Sequence, residues 1–192
     1  NVRVVPVAIH LGDSQGSFDP FNFDGAAPLL ALVNFNGEYP AGKINRMTPW
    51  PYAQNTPNNQ TYVKNFTLGD PVRLGLAMNS TLSGNTVNLD VNVKFFENYN
   101  NLKLVVYVLE NNLIYPQKNS TPFYGGLSLI PEFEHDHVVR TTFTDILGDV
   151  IPSSETSDGK TYTRNFTVAV PSNFANIANM EFVAFVVGSD NK

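Results

Sequence analysis

Val87-Asn88-Leu89-Asp90-Val91-Asn92-Val93-Lys94-Phe95 alternates apolar and polar residues without a break. Side chains of a β-strand point to opposite faces at a period of two, so this stretch reads as a strand with one buried face and one wetted face. No helix would be built that way. Residues 102–110 follow, apolar on both faces, after Glu97-Asn98-Tyr99-Asn100-Asn101. So short a polar break predicts a hairpin between the two strands. On the other side, residues 72–78 lead into the turn Ser83-Gly84-Asn85 and are expected to pair with the alternating strand.

Further strands are expected at residues 62–68, 138–143, 162–170 and 182–187, which makes about seven in roughly 130 residues. That density predicts an immunoglobulin-like antiparallel β-sandwich over residues 62–192, with a closed barrel as the alternative. The front of the chain has a different character. Residues 2–11 are almost continuously apolar around Pro6, as in a strand covered on both faces near a sheet edge. A polar loop over residues 12–25 leads to a helix at 26–33 with Pro28 in its first turn, ended by Asn36-Gly37. A short strand at 42–47 would complete a β-α-β unit. Residues 49–61, with Pro49, Pro51, Pro57 and several Asn, have the composition of a linker. The predicted fold class is therefore α+β in two modules, residues 1–48 and 62–192. A lone βαβ unit leaves strand edges open, so the front must complete a larger domain or pack onto the β module.

Composition narrows the function classes. Lys plus Arg total 12 against 17 Asp plus Glu, a net charge of −5, and the cations are scattered, which disfavours a nucleic-acid partner. No apolar run reaches the roughly 18–20 residues that span a bilayer, and the start reads as a strand, so membrane association is expected through an anchor outside these residues. The absence of cysteine removes disulfides, thiol catalysis and cysteine-ligated metal from the candidate chemistry. Asn supplies 24 of the 192 residues, many at loop positions where its side chain caps turns, a pattern that suits a loop-rich β protein outside the cytoplasm.

Four groups of residues have the composition of candidate sites. Gly12-Asp13-Ser14-Gln15-Gly16 has the G-x-S-x-G form of a hydrolase nucleophile elbow, but Ser17-Phe18-Asp19-Pro20 continues as loop where a helix should begin. Glu132, Glu134, His135, Asp136 and His137 form the densest cluster of metal-ligand residue types, with His135, His137 and Glu134 the candidate ligands, and in a strand His135 and His137 would share one face. Zinc needs three or four convergent ligands, and beyond these two histidines only His10 remains, so a carboxylate would have to supply the third; the expected reading is a polar turn and no metal site. Asp19, Asn22 and Asp24-Gly25 lack the alternate spacing of a calcium loop. The loop aromatics Trp50, Tyr52, Tyr62, Phe123 and Tyr124 could present a binding surface or plug the ends of the sandwich. No catalytic residue and no cofactor is expected.

Three segments, Tyr39-Pro40-Ala41-Gly42-Lys43-Ile44-Asn45-Arg46, Leu104-Val105-Val106-Tyr107-Val108-Leu109-Glu110-Asn111-Asn112-Leu113-Ile114-Tyr115-Pro116-Gln117 and Glu134-His135-Asp136-His137-Val138-Val139-Arg140, together resemble the twenty-eight-kilodalton outer-membrane protein family, surface-associated lipoproteins of Gram-negative anaerobes. In that family a thioredoxin-like domain precedes an immunoglobulin-like β domain. The resemblance implies that residues 1–48 are the C-terminal half of a thioredoxin-like fold, with Tyr39-Pro40 as its cis-proline loop. It implies a location in the cell envelope, outer-membrane associated or surface exposed. The leading expectation for function is a non-enzymatic, adhesin-like surface protein that binds a protein or glycan through loops at one end of the sandwich. The rival is a thiol-disulfide oxidoreductase whose C-x-x-C segment lies outside this cysteine-free chain.

Overall fold

The computed structural model describes residues 4–12, 18–35, 37, 41–50, 63 and 71–191. In chain order its regular elements are helix α1 (Ala27–Leu32) and strands β1 (Lys43–Ile44), β2 (Thr48–Pro49), β3 (Leu74–Ser83), β4 (Thr86–Phe95), β5 (Lys103–Glu110), β6 (Leu113–Lys118), β7 (Leu129–His135), β8 (Val138–Thr142), β9 (Asp149–Val150), β10 (Thr161–Ala169) and β11 (Met180–Val187). The expected strand at 62–68 lies outside the described residues apart from Val63, which is helical and buried. Residues 51–61 of the expected linker, together with Ser14, Tyr39, Pro40 and Tyr52, also lie outside them.

Two antiparallel sheets face each other. One has the order β10-β4-β3 and the other β11-β5-β8, with β9 also on β5. The alternation of β4 places Val87, Leu89, Val91, Val93 and Phe95 in the core between the sheets, against Leu104 and Val106 of β5, with Ile151 and Phe166. Its polar residues line the outer face, where Asn88, Asp90 and Asn92 accept hydrogen bonds from Thr167, Asn165 and Thr163 of β10 at 3.0, 2.6 and 2.7 Å. Such cross-strand polar pairs fix register on the wetted side, because a one-residue slip would turn the apolar set outward. β3 and β4 form the expected hairpin, Leu74 opposite Phe95 and Ser83 opposite Thr86.

The expected hairpin between the strands flanking residues 96–101 does not form. β5 lies in the other sheet, paired with β11 from Met180↔Glu110 to Val187↔Lys103 and with β8. A partner of β4 would share its single buried face, whereas β5 is apolar on both faces and so occupies the centre of a sheet covered twice. Leu104 and Val106 face the sandwich core, while Val105, Tyr107 and Leu109 face a second cluster formed with Val7, Ile9, Phe23, Leu29 and Leu32. The front of the chain is thus the cover for the outer face of the four-stranded sheet.

That cover differs locally from the expected β-α-β unit. Among residues 4–12 only Ala8 makes a ladder contact, a parallel bridge to Val138, with Ala8 N–H donating to His137 O at 2.8 Å and Val139 N–H to Ala8 O at 2.9 Å. Pro6 has no N–H to extend it. α1 carries Pro28 in its first turn as expected but ends earlier than Asn36-Gly37, where Asn34 turns left-handed at φ 50°. The strand expected at 42–47 is two residues long and turns back on itself, β1 pairing antiparallel with β2 around Asn45 and Arg46, both at positive φ.

Arg46 anchors this hairpin to the sheet. Its guanidinium donates to Ile146 O at 2.8 Å, Asn191 O at 3.2 Å and the Tyr107 hydroxyl, and lies 4.8 Å from the centre of the Phe185 ring. Tyr107 O–H donates in turn to Ile146 O at 2.7 Å. Burial raises the Tyr107 pKa and Arg46 offsets part of the rise, so the phenol is the hydrogen donor throughout the physiological range.

Candidate functional site

At the end of the sandwich where β5 runs into β6, three polar groups sit within apolar surroundings. Glu110, fully buried, pairs through Oε2 with Arg140 Nε at 3.2 Å, and its Oε1 accepts from Asn176 N–H at 2.7 Å. Arg140 also lies 5.4 Å from the Phe21 ring centre and donates to Asn173 O, while Asn173 Nδ2 donates to Arg140 O at 3.0 Å. Burial lowers the Arg140 pKa, while Glu110 and then Asp19 hold it up, and the guanidinium stays charged. Beside it His10 Nδ1 lies 2.8 Å from Asp19 Oδ2, and its ring meets that of His135 edge-on at 5.1 Å. On the far side His137 Nδ1 lies 2.9 Å from Glu181 Oε2, which also accepts from Asn111 Nδ2 at 3.1 Å.

All three histidines of the chain therefore gather where the front segment meets the β module. They do not converge on a point. The expected shared face of His135 and His137 is not realised, because β7 ends at His135 and the chain turns through His137 at φ 56° before β8 begins. Period-two facing holds only within a continuous strand. His135 is buried against Phe21 and Phe133 and its Nε2–H donates to Tyr115 O at 3.1 Å, whereas Glu134 points to solvent. Among the described residues no three His, Asp or Glu side chains stand together as a metal-binding group. The supposed calcium loop is closed on itself as well. Asp19 accepts from Phe21 N–H at 2.8 Å while holding His10, Asn22 Nδ2 donates to Asp24, and Asn22 Oδ1 accepts from Gly12 N–H at 2.6 Å.

The buried imidazole gives the junction an acid-sensitive element. Burial, the leading cause, lowers the His135 pKa; the Tyr115 carbonyl opposes it, His10 adds to it, and Asp19 and Asp136 oppose it. The unfolded chain, with an ordinary histidine near pH 6.5, binds the proton more readily than the folded one. Stability from this residue is present above about pH 6.5 and falls with acidification toward the lowered folded value. Denaturant midpoints at neutral pH and near pH 5 should show this loss in the parent and a smaller loss in His135→Phe. An equal loss in both would assign the acid sensitivity elsewhere.

β6 and β7 form a separate two-stranded arm, pairing from Leu113↔His135 to Lys118↔Leu129 with an irregularity between Tyr115 and Gln117, at Pro116. Pro116 and Pro131 interrupt the alternation of both strands, which is why the sequence pattern did not reveal them. The loop at its tip is built around Asn119. Its side-chain amide donates to the carbonyls of Thr121, Phe123 and Leu127 at 3.2, 3.0 and 2.9 Å, and its carbonyl accepts from Thr121 N–H at 2.9 Å. Tyr124, Gly125 and Gly126 all have positive φ, at 58°, 70° and 71°. Tyrosine is costly in that region, and the arrangement directs its ring to meet Phe133 edge-on at 5.8 Å.

Two of the expected loop aromatics thus stand at the arm tip, where Phe123 is 41% and Tyr124 60% exposed, close in the chain to exposed Leu127 and Leu129. Trp50 is elsewhere, half-buried over Gly42 beside the Arg46 hairpin. The aliphatic neighbours of the tip were not foreseen. Leu127 and Leu129 fall between turn residues and a broken strand.

Comparison with known proteins adds an independent line. The family model described as Outer membrane protein Omp28 matches residues 31–192. Among solved structures, HBP35 of Porphyromonas gingivalis aligns with a TM-score of 0.63 at 18% sequence identity, over 86% of this chain and 55% of that one. This is a likeness of fold, and the chain spans about half the length of that structure. No curated protein matches the chain.

Proposed function

The chain belongs to the family of outer membrane protein Omp28 and is associated with the outer membrane of the cell envelope; from that membership we propose that it is a non-enzymatic, adhesin-like surface protein whose β6-β7 arm captures a protein partner. One observation carries the reading. A loop fixed internally by Asn119 holds Phe123 and Tyr124 in water, close in the chain to exposed Leu127 and Leu129, where a soluble surface would gain by hiding them. Rigid aromatic side chains bury a large area for little lost conformational entropy, which is why they dominate interface hot spots. The apolar surround favours a protein over a glycan, whose hydroxyls would need polar partners at the tip.

Tyr124→Ala and Phe123→Ala should each weaken partner capture by roughly 30-fold, the effect of losing about 2 kcal/mol at a hot spot. Their unfolding midpoints should stay close to that of the parent, because both side chains are largely exposed. Full capture by the double variant would remove the arm from the account. In this reading residues 1–48 are the C-terminal half of a thioredoxin-like domain and residues 62–192 an immunoglobulin-like sandwich, with the segment between as linker.

A further inference from the structure

The three-stranded sheet has an edge of unusual composition. β3 reads Leu74-Gly75-Leu76-Ala77-Met78-Asn79-Ser80-Thr81-Leu82-Ser83, ten residues without a charge or a proline. Natural sheets blunt their edges with such residues, because an unpaired row of N–H and C=O groups accepts any passing strand. Among the described residues the other long edges are blunted: β10 carries Arg164, β11 Glu181, β6 Pro116 and Lys118, β7 Pro131, Glu132 and Glu134, and the outer side of β8 meets Ala8. Exposure distinguishes the edge from the interior of the same sheet. Asn79 and Thr81 on β3 are exposed, whereas Asn88, Asp90 and Asn92 on the flanked strand β4 are only partly so.

The pairing pattern identifies which groups face outward. Phe96 N–H donates to Arg73 O at 3.0 Å, and the β3-β4 register is regular throughout, so odd-numbered β3 residues direct their backbone groups to β4. The backbone N–H and C=O of Leu74, Leu76, Met78, Ser80 and Leu82 therefore face away from it. Side chains of the same residues point toward the opposite sheet, which fails to cover the far end. Met78 is 39% and Leu82 51% exposed, and a crevice opens there between Leu82 and Val87 on one side and Ile177, Met180 and Phe182 on the other.

We propose that β3 pairs antiparallel with β3 of a second copy of this chain about a two-fold axis at Asn79, joining the two sheets into one six-stranded sheet. The strand is self-complementary in that register. Leu76 stands opposite the second copy's Leu82 and Met78 opposite its Ser80, all on the core side, while Ala77 meets Thr81 and Asn79 meets its own mate on the wetted side. No like charges oppose each other, and each of the facing pairs Leu76/Leu82 and Met78/Ser80 can exchange both backbone hydrogen bonds. Among the described residues β3 is the long sheet edge without a charge or a proline, and the two-fold uses that edge of each copy, so association closes at two instead of growing into a fibre.

The test uses the intact chain. Sedimentation across a concentration series should give twice the mass of one chain. Asn79→Lys, which places two cations side by side at the axis, and Ser80→Pro, which deletes an outward N–H, should each give a single-chain mass with an unchanged unfolding midpoint. Because the chain has no cysteine, Asn79→Cys provides a second reading that does not depend on tolerance of those changes. Paired Cβ atoms about 5 Å apart at the axis are within disulfide reach, so mild oxidation should link Asn79→Cys completely and Thr163→Cys on the opposite edge hardly at all. A single-chain mass for the parent, open-ended oligomers, or equal linkage at both positions would each overturn the proposal.

Discussion

Arg140→Met is expected to destabilise the folded chain by about 3–5 kcal/mol, the usual cost of stranding one partner of a buried ion pair. Glu110 is fully shielded, and its Oε2 has Arg140 as its ionic partner and no separate hydrogen bond. Without the guanidinium that oxygen would face Phe21 and the strand ends, and the carboxyl would take up a proton or draw in water. Arg140 also ties β8 to the loop before β11 through Asn173. Adding Glu110→Gln, which keeps an acceptor for Asn176 N–H, should recover a substantial part of the loss, because the amide carries no charge to strand. Urea unfolding of the parent, both single variants and the double variant gives the coupling directly. A cost below about 1 kcal/mol for Arg140→Met would mean that water already reaches the pair.

Phe95→Ala should cost a similar amount, about 3–5 kcal/mol, while its neighbour Phe96→Ala should change stability by no more than about 0.5 kcal/mol. Phe95 closes the buried face of β4, fully shielded and against Tyr99, whereas Phe96 is 50% exposed just beyond the strand. Two adjacent residues of one type, an order of magnitude apart in effect, would verify the period-two assignment on which the sandwich rests. Comparable costs would indicate that the strand end packs otherwise.

The legible parts of the fold were those in which a single element decides its own pattern. β4 announced itself by strict alternation, β3 by the Gly84 turn, and β8, β10 and β11 by runs of β-branched and aromatic residues. Pairing across the core was not legible in the same way. Residues 102–110 showed that both faces of β5 are buried, yet nothing local specified that the second face would be covered by Val7, Ile9 and Leu29 from far upstream. That covering layer placed β5 in the other sheet and overruled the hairpin suggested by the short connection.

The candidate site divides along the same line. Phe123 and Tyr124 could be named from the sequence because aromatics between Pro122 and Gly125-Gly126 have no regular element to pack in. The Glu110–Arg140 pair could not, since the residues lie far apart and neither has a local partner. The segments that carried the family resemblance do contain it. Arg46 from the first segment meets Tyr107 from the second, and the second and third meet at Glu110–Arg140, Tyr115–His135 and Asn111–His137, where His137 N–H donates to Asn111 Oδ1 at 2.7 Å. These contacts weld the front segment to the sandwich and set the root of the β6-β7 arm.

The role assigned to that arm is tested most directly by a photo-crosslinking amino acid placed at Tyr124 of the protein in its native envelope, with Thr163 on the far edge of the sandwich as the control position. Irradiation should yield a discrete adduct with one envelope or extracellular protein from position 124 and none from 163. No adduct from position 124, or the same set of adducts from both positions, would contradict a partner-binding arm.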